Sequence, residues 1–298
     1  MSQAPILVTG ATGRLGRLVV ERLVGLKQPV RIFTRRPEVA RKLLGSTVEI
    51  AVGEFADAAS LEASVRGIQR LLLLSPISAT LAADQIAVAN AAVASGVRRI
   101  VKISGSAWTI EPPGSSILGD AHAAVERHLG KLPLESVSLR PNAWMQVSLA
   151  NTIRQVLAGN PVAAANPDAE IGYIDARDIA DVAVHQLLAD KVAGKPLNLT
   201  GPETATARQI AGLLSDILKR PVAVIEKPPV PASPDADFEH RAVAQFQTLI
   251  AAGRAAMVTD VVASLTGRRP RSVEAFISEY LAAEAALGPS KIHEHSFR

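Results

Sequence analysis

The stretch Ile6-Leu7-Val8-Thr9-Gly10-Ala11-Thr12-Gly13-Arg14-Leu15-Gly16, followed by Leu18, Val19, Leu23 and Leu26, decides the fold class. Its first residues form an unbroken apolar run, the pattern of a strand buried on both faces. The later leucines and valines recur at spacings of three and four, which predicts an amphipathic helix. Between them lie three glycines spaced G-x-x-G-x-x-G. Gly10 allows a tight turn, Gly13 removes a side chain where backbone must approach a pyrophosphate, and Gly16 lets the helix pack closely on the strand. The free N–H groups at the helix N-terminus then face the anion. The expected cofactor contacts in this segment are Gly10, Thr12, Gly13, Arg14, Leu15 and Gly16. The competing reading is a glycine-rich turn in an α/β protein that holds no nucleotide.

Further along, short apolar runs recur at Val30–Phe33, Val48–Val52, Leu71–Leu74, Ile100–Ile103 and Ser136–Leu139, with helical patterns between them. This alternation predicts an α/β fold, a Rossmann-type doubly wound parallel sheet. After Pro141 the pattern changes. Helices are expected at Met145–Leu157, Asp175–Leu188 and Thr206–Leu218, with a return strand at Pro196–Leu199 and a short strand at Val222–Ile225. Two or three more helices are expected from Asp237 to about Ala286, after the proline-rich loop Lys227–Pro234. The expected organisation is a dinucleotide-binding domain at 1–155, a smaller and mostly helical substrate lobe at 156–287, and a tail at 288–298.

The choice of dinucleotide turns on the end of the second strand. About 20 residues past a glycine loop, an acidic residue there would bond a ribose 2′-hydroxyl. This chain has Phe33-Thr34-Arg35-Arg36 instead. Arginine offers a planar fork that matches a 2′-phosphate. Arg35 and Arg36, with Arg14 facing the same phosphate, predict NADP(H) in preference to NAD(H); the alternative is a pair of solvated surface charges. Ser75-Pro76-Ile77 follows the fourth strand and is expected to border the pyrophosphate or the nicotinamide ribose.

Composition excludes several classes. The 298 residues are 48% hydrophobic, 20% charged and free of cysteine. A large core is therefore available, while a disulfide scaffold, a zinc–thiolate site and a thiol nucleophile are not. The net charge of +4 comes from dispersed residues, mostly arginines, and aromatics are only 3%. Nucleic-acid binding is not expected. No apolar run approaches the ~18 residues of a membrane span, and no signal peptide is read at the start, so a cytoplasmic protein is expected. His293-Glu294-His295 superficially resembles a metal pair, but its spacing suits a tail, and no metal site is expected.

Several motifs together carry a family resemblance. They are Thr9–Gly16, Thr34-Arg35-Arg36, Gly53-Glu54-Phe55-Ala56-Asp57, Leu139-Arg140-Pro141-Asn142, Asp175-Ala176-Arg177-Asp178-Ile179-Ala180 and Leu199-Thr200-Gly201-Pro202-Glu203. Over nearly its whole length the chain resembles the NmrA-like branch of the atypical short-chain dehydrogenase/reductases. The resemblance implies a Rossmann domain with a small substrate lobe, and a cofactor contact at Phe55. Many members carry Gly-Asp where this chain has Gly53-Glu54.

Better-known short-chain dehydrogenases use Tyr-x-x-x-Lys with an upstream serine. Here only Tyr173 and Tyr280 exist, and neither is followed by lysine four residues on. His122 and Glu126 sit four apart on one helix face, and family members similar to triphenylmethane and quinone reductases carry a similar pair. Either His122 donates a proton or orients substrate, or the pair merely fixes a helix. Ser104, just past the fifth strand, is the second catalytic candidate. Trp108, Trp144 and Met145 are candidates for an apolar substrate wall, with ordinary packing as the alternative. Two functions follow. One is an NADPH-dependent oxidoreductase passing hydride directly to an apolar, electron-poor acceptor such as a quinone, dye or enone. The other is an NADP(H)-sensing regulator that acts through a protein partner without turnover. A small apolar substrate is the expected partner, with no membrane and no nucleic acid; a homodimer is compatible with the sequence.

Overall fold

The computed structural model describes residues 3–287. The tail expected at 288–298, with His293-Glu294-His295, lies outside the described residues. The chain begins as a regular alternation: β1 (Ile6–Thr9), α1 (Arg14–Gly25), β2 (Val30–Thr34), α2 (Pro37–Leu44), β3 (Glu49–Val52), α3 (Ala58–Val65), β4 (Arg70–Leu73), α4 (Leu81–Ala94) and β5 (Arg99–Ile103). It continues through α5 (Ala107–Ile110), α6 (Ile117–Leu129), β6 (Glu135–Pro141), β7 (Ala143–Trp144), α7 (Ser148–Leu157), β8 (Val162–Ala164), β9 (Tyr173–Ile174), α8 (Ala176–Leu188) and β10 (Leu197–Leu199). The last elements are α9 (Ala207–Leu218), β11 (Val224–Glu226), α10 (Phe238–Ala251), α11 (Val261–Thr266) and α12 (Val273–Leu287).

Seven strands form one parallel sheet in the order β10-β6-β5-β4-β1-β2-β3. The order reverses between β1 and β4, and ligands of such sheets bind outside the carboxyl ends at that switch point. The apolar strands are continuous because successive side chains enter different cores. Ile6 and Val8 join one cluster with α1, α8 and α11. Leu7 joins the other, with α3, α4 and α6. The doubly wound α/β fold expected from the sequence is thus the observed one. No helix among the described residues is long and apolar enough to cross a membrane.

A third cluster builds the smaller lobe. Leu149, Ile153 and Val156 of α7 pack there with Ile210 and Leu214 of α9 and Phe276 and Ile277 of α12. Two short parallel pairings accompany it: β8 with β11 lies within the lobe, and β7 with β9 joins it to the sheet, Tyr173 lying in the lobe cluster and Ile174 in the β1 cluster. The lobe is therefore divided differently from the expectation. A boundary at 155 cuts through α7, whose buried face belongs wholly to the lobe. The return strand β10 joins the sheet as expected, and within 156–287 α8 and α11 also pack on it: Ile179, Val182, Leu199 and Val262 lie in the β1 cluster. Asp175 stabilises the start of α8, its carboxylate accepting from the Arg177 N–H at 2.7 Å.

Candidate active site

Two clefts open at the carboxyl ends of the strands, on either side of the loop after β4. The first, about 410 Å³, is lined by Gly10 and Thr12 from the loop after β1, by Phe33 to Arg36 from the end of β2, by Gly53 to Ala56 after β3, and by Pro76. Its floor depends on two glycines. Gly10 has φ +64°, and a Cβ there would lie 2.9 Å from the Leu74 carbonyl oxygen. A Cβ on Gly16 would lie 2.3 Å from the Gly10 carbonyl oxygen, so the first turn of α1 presses on the loop itself. Thr9 locks this loop to β4. Its hydroxyl donates to the Leu74 carbonyl at 2.7 Å and accepts from the Leu74 N–H at 2.8 Å.

The residues fit a dinucleotide. α1 starts at Gly13 with no side-chain cap and no acidic residue in its first turn. Asp57, Ser116, Asp175, Thr206 and Asp237 cap other helices. The first N–H groups of α1 are thus left without a side-chain cap, next to the loop residues Gly10 and Thr12 that line the cleft, as an anion site requires. Arg35 and Arg36 are exposed at its far end. The rings of Phe33 and Phe55 meet at 5.8 Å and form an apolar wall between the two.

The side chains of two cofactor candidates are engaged outside this cleft. The Arg14 side chain does not join Arg35 and Arg36. Its guanidinium donates to the Gln146 backbone carbonyl, toward the lobe, and its pKa is lowered by burial, with Tyr280 partly opposing. The reason is that the segment between β7 and α7 passes over the start of α1, held there by the Gln146 side chain, which donates to Asp175 at 2.8 Å. The Leu15 side chain lies in the sheet core, which leaves only its backbone to meet a phosphate.

The second cleft, about 370 Å³, is strongly apolar. Ser75 and Ile77 stand on its cofactor side, Trp108 and Trp144 form walls, and Phe246 and Ile250 close it from α10, a helix that packs with the α3, α4 and α6 cluster. Trp108 is fixed from both sides. Its indole N–H donates to the Asn142 amide oxygen, and its ring meets Phe246 edge-on at 5.7 Å. Asn142 in turn donates to the Ala255 carbonyl at 3.0 Å, tying this wall to the lobe. Met145, expected beside the tryptophans, faces away. It is fully buried among Leu149, Tyr173 and Phe276 because β7 reverses side-chain direction after Trp144. Phe246 and Ile250 were not singled out in the sequence, where α10 is an ordinary amphipathic pattern more than 100 residues from the strands it covers.

Ser75, Ser106, Thr109, Asn142 and Ser148 also line this cleft, but among the described residues its one titratable side chain enters at the end of β5 against α6. His122 and Ser104 both line it. The imidazole packs flat against Gly105, where a Cβ would lie 2.8 Å from its Cδ2. Behind them is Lys102, completely buried in mid-strand. Its Nζ lies 2.8 Å from His122 Nδ1, 2.9 Å from Ser104 Oγ and 3.3 Å from the Ile103 carbonyl. Ser104 Oγ donates to Glu126 at 2.6 Å. Glu126 receives the Arg140 guanidinium through both oxygens at 2.6 and 3.1 Å, and Arg140 also reaches Glu111 at 2.6 Å.

This arrangement sets the charges. Burial pushes the Lys102 ammonium down to about 7, against the pull of Glu126. Burial, with Lys102 alongside, holds His122 well below its ordinary value, so the imidazole is neutral. Burial also opposes the charge of Glu126, but the bonds from Arg140 and Ser104 prevail and keep its carboxyl low. Lys102 escaped notice in the sequence. The signal was present: one lysine inside Arg99-Ile100-Val101-Lys102-Ile103, a strand otherwise reading as buried. Ser104, by contrast, has its hydroxyl proton committed to Glu126.

Residues 10–190 match the family described as NAD(P)H-binding. Among curated proteins, a (4-alkanoyl-5-oxo-2,5-dihydrofuran-3-yl)methyl phosphate reductase of Streptomyces griseus is 33% identical over 94% of this chain and 99% of its own. Quinone oxidoreductase 2 of Escherichia coli is 30% identical over 70% of this chain and 73% of its own. An NADPH-dependent quinone oxidoreductase of Escherichia coli, solved with NADPH, superposes with a TM-score of 0.81 at 24% identity, covering 93% of this chain and 99% of that one. The chain belongs to the NAD(P)H-binding family, among reductases of the NmrA-like, atypical short-chain dehydrogenase/reductase type.

Proposed function

We propose that the protein is an NADPH-dependent reductase of small, apolar, electron-poor acceptors, of the quinone, dye or enone class. The observation that carries this reading is the apolar cleft itself. It adjoins the dinucleotide cleft across one loop, its walls are two tryptophans and a phenylalanine, and among the described residues the one titratable side chain lining it is His122. The relative from Streptomyces griseus supports the class, since the ring in its name is a conjugated carbonyl.

Bound NADPH supplies a hydride to the acceptor. The chain's own residues do the rest. The Gly10–Gly16 loop and the α1 N-terminus hold the pyrophosphate, and Arg35 and Arg36 select the 2′-phosphate. The tryptophan walls exclude water and orient the acceptor plane, which a direct transfer to a conjugated system requires. The His122 Nε2–H reaches the oxygen on which negative charge gathers. Neither tyrosine of the chain lines this cleft; Tyr173 is buried in the lobe core, where desolvation holds its phenol protonated.

The test is a panel of quinones, azo and triphenylmethane dyes and enones, scored by NADPH oxidation at 340 nm. Both tryptophans of the chain line the cleft, so acceptors should also quench intrinsic fluorescence. NADPH oxidation with at least one class, paired with quenching by the same compound, is expected. Binding of NADPH with no oxidation across the panel would favour a regulator that senses the cofactor.

A further inference from the structure

Lys102 is the residue that this reading leaves without a task. A lysine completely buried in the middle of a central strand is costly, yet its three ammonium protons have three acceptors: the Ile103 carbonyl, Ser104 Oγ and His122 Nδ1. Ser104 is able to accept because its own proton goes to Glu126. With Lys102 charged, His122 Nδ1 must accept, so the imidazole carries its proton on Nε2. No partner for Nε2 is recorded among the described residues, and the ring lines the apolar cleft. A neutral imidazole is a poor acid by itself, since loss of the Nε2 proton would leave an imidazolate. That difficulty disappears if Nδ1 gains a proton at the same time.

We propose that Lys102 is the internal proton source of the site, a positioning residue that fixes the His122 tautomer and replaces the proton His122 gives to the reduced acceptor. The inference rests on the reductase reading above. The step balances. With a carbonyl acceptor such as a quinone or enone, the hydride that bound NADPH would supply brings two electrons and leaves the acceptor oxygen negative. That oxygen takes the Nε2 proton while an N–H of Lys102 moves to Nδ1. Lys102 ends neutral, His122 ends neutral in the other tautomer, and the product is uncharged. After release, a solvent proton entering at Nε2 drives the Nδ1 proton back to Lys102. The low ammonium value, about 7, suits a group that must give up and regain a proton near neutrality.

The groups facing Lys102 are few. α6 presents His122 and Glu126; β6 presents Arg140 and, in register, Ser138; β4 presents Leu73. Glu111 reaches the cluster through Arg140. Arg140 and Glu126 neutralise each other, so Lys102 is the group that titrates near pH 7.

Two measurements test this. In the wild type, kcat should fall as pH rises through about 7. Lys102→Met should lose that step and about 100-fold in kcat, with KM for the acceptor changed less than twofold. An unchanged kcat and an unchanged step would overturn the proposal. Nitrogen NMR of His122 in the cofactor-free wild type keeps the question decidable if the variant does not fold. Below pH 7 the ring should be neutral, with Nδ1 bare and Nε2 protonated. A ring protonated on Nδ1 there would contradict the relay. This spectrum needs no turnover, so a wild type inactive on every acceptor would sink the reductase reading separately.

Discussion

At the residue scale, the arginine pair beside the first cleft and the Lys102 cluster differ in how openly the sequence displays them. Arg35 and Arg36 are legible because they replace an expected acid at a fixed distance from a glycine loop, and they stay exposed beside the cleft. Arg35→Ala should weaken NADPH binding about 10- to 100-fold, the value of one or more charge-assisted bonds, and leave NADH binding unchanged. Equal losses for both cofactors in a fluorescence titration would refute the assignment. Arg14→Ala should not alter the NADPH/NADH ratio, because its guanidinium is held by Gln146 on the opposite side. Lys102 was not legible for a physical reason. A charged residue in a strand ordinarily marks a solvated position, and only the convergence of His122 and Glu126 from α6 on Lys102 and its neighbour Ser104 makes burial tolerable.

At the scale of elements, the strands and the first helix were readable because their periodicities are local. Which surface a later helix covers is not local information. α8 and α7 are both amphipathic, yet α8 lies on the sheet beside α1 and α7 lies in the lobe. The tryptophans near the cleft follow strands closely in sequence, though they sit in α5 and β7 rather than in loops, whereas their cover, Phe246 and Ile250, comes from a helix with no sequence neighbour in the site. The junction of β1 and α1 yields a sharper expectation. Gly16→Ala places a Cβ against the Gly10 carbonyl, a backbone atom that cannot swing away. It should cost about 1–3 kcal/mol of stability, as overpacking does, and displace the phosphate loop. Urea unfolding and NADPH titration on the same variant check both effects. Normal stability with normal NADPH affinity would show that the loop has room to yield.

For the whole molecule, the buried lysine leaves a mark on stability. Lys102 titrates at about 7 when folded and at its ordinary 10.5 when exposed. Between these values the unfolded chain binds more protons than the folded one, so the group makes stability rise with pH across that window, by up to about 1.4 kcal/mol per pH unit. Below pH 7 it is charged in both states and contributes no slope. Urea unfolding of wild type and Lys102→Met between pH 7 and 10 should therefore diverge, the wild type gaining on the variant. Parallel curves would mean that Lys102 is not desolvated as the packing implies.

The same global arrangement sets the two clefts on either side of the loop after β4, and under the proposed function one takes the cofactor and the other the acceptor. The most direct test of this account follows the atoms. NADPH deuterated at the transferring position is incubated with a conjugated enone in ordinary water, and the product is read by NMR. The account predicts one deuterium on the carbon β to the carbonyl and a solvent-derived proton on the α carbon. Oxidised cofactor with no deuterium in the product would contradict direct transfer.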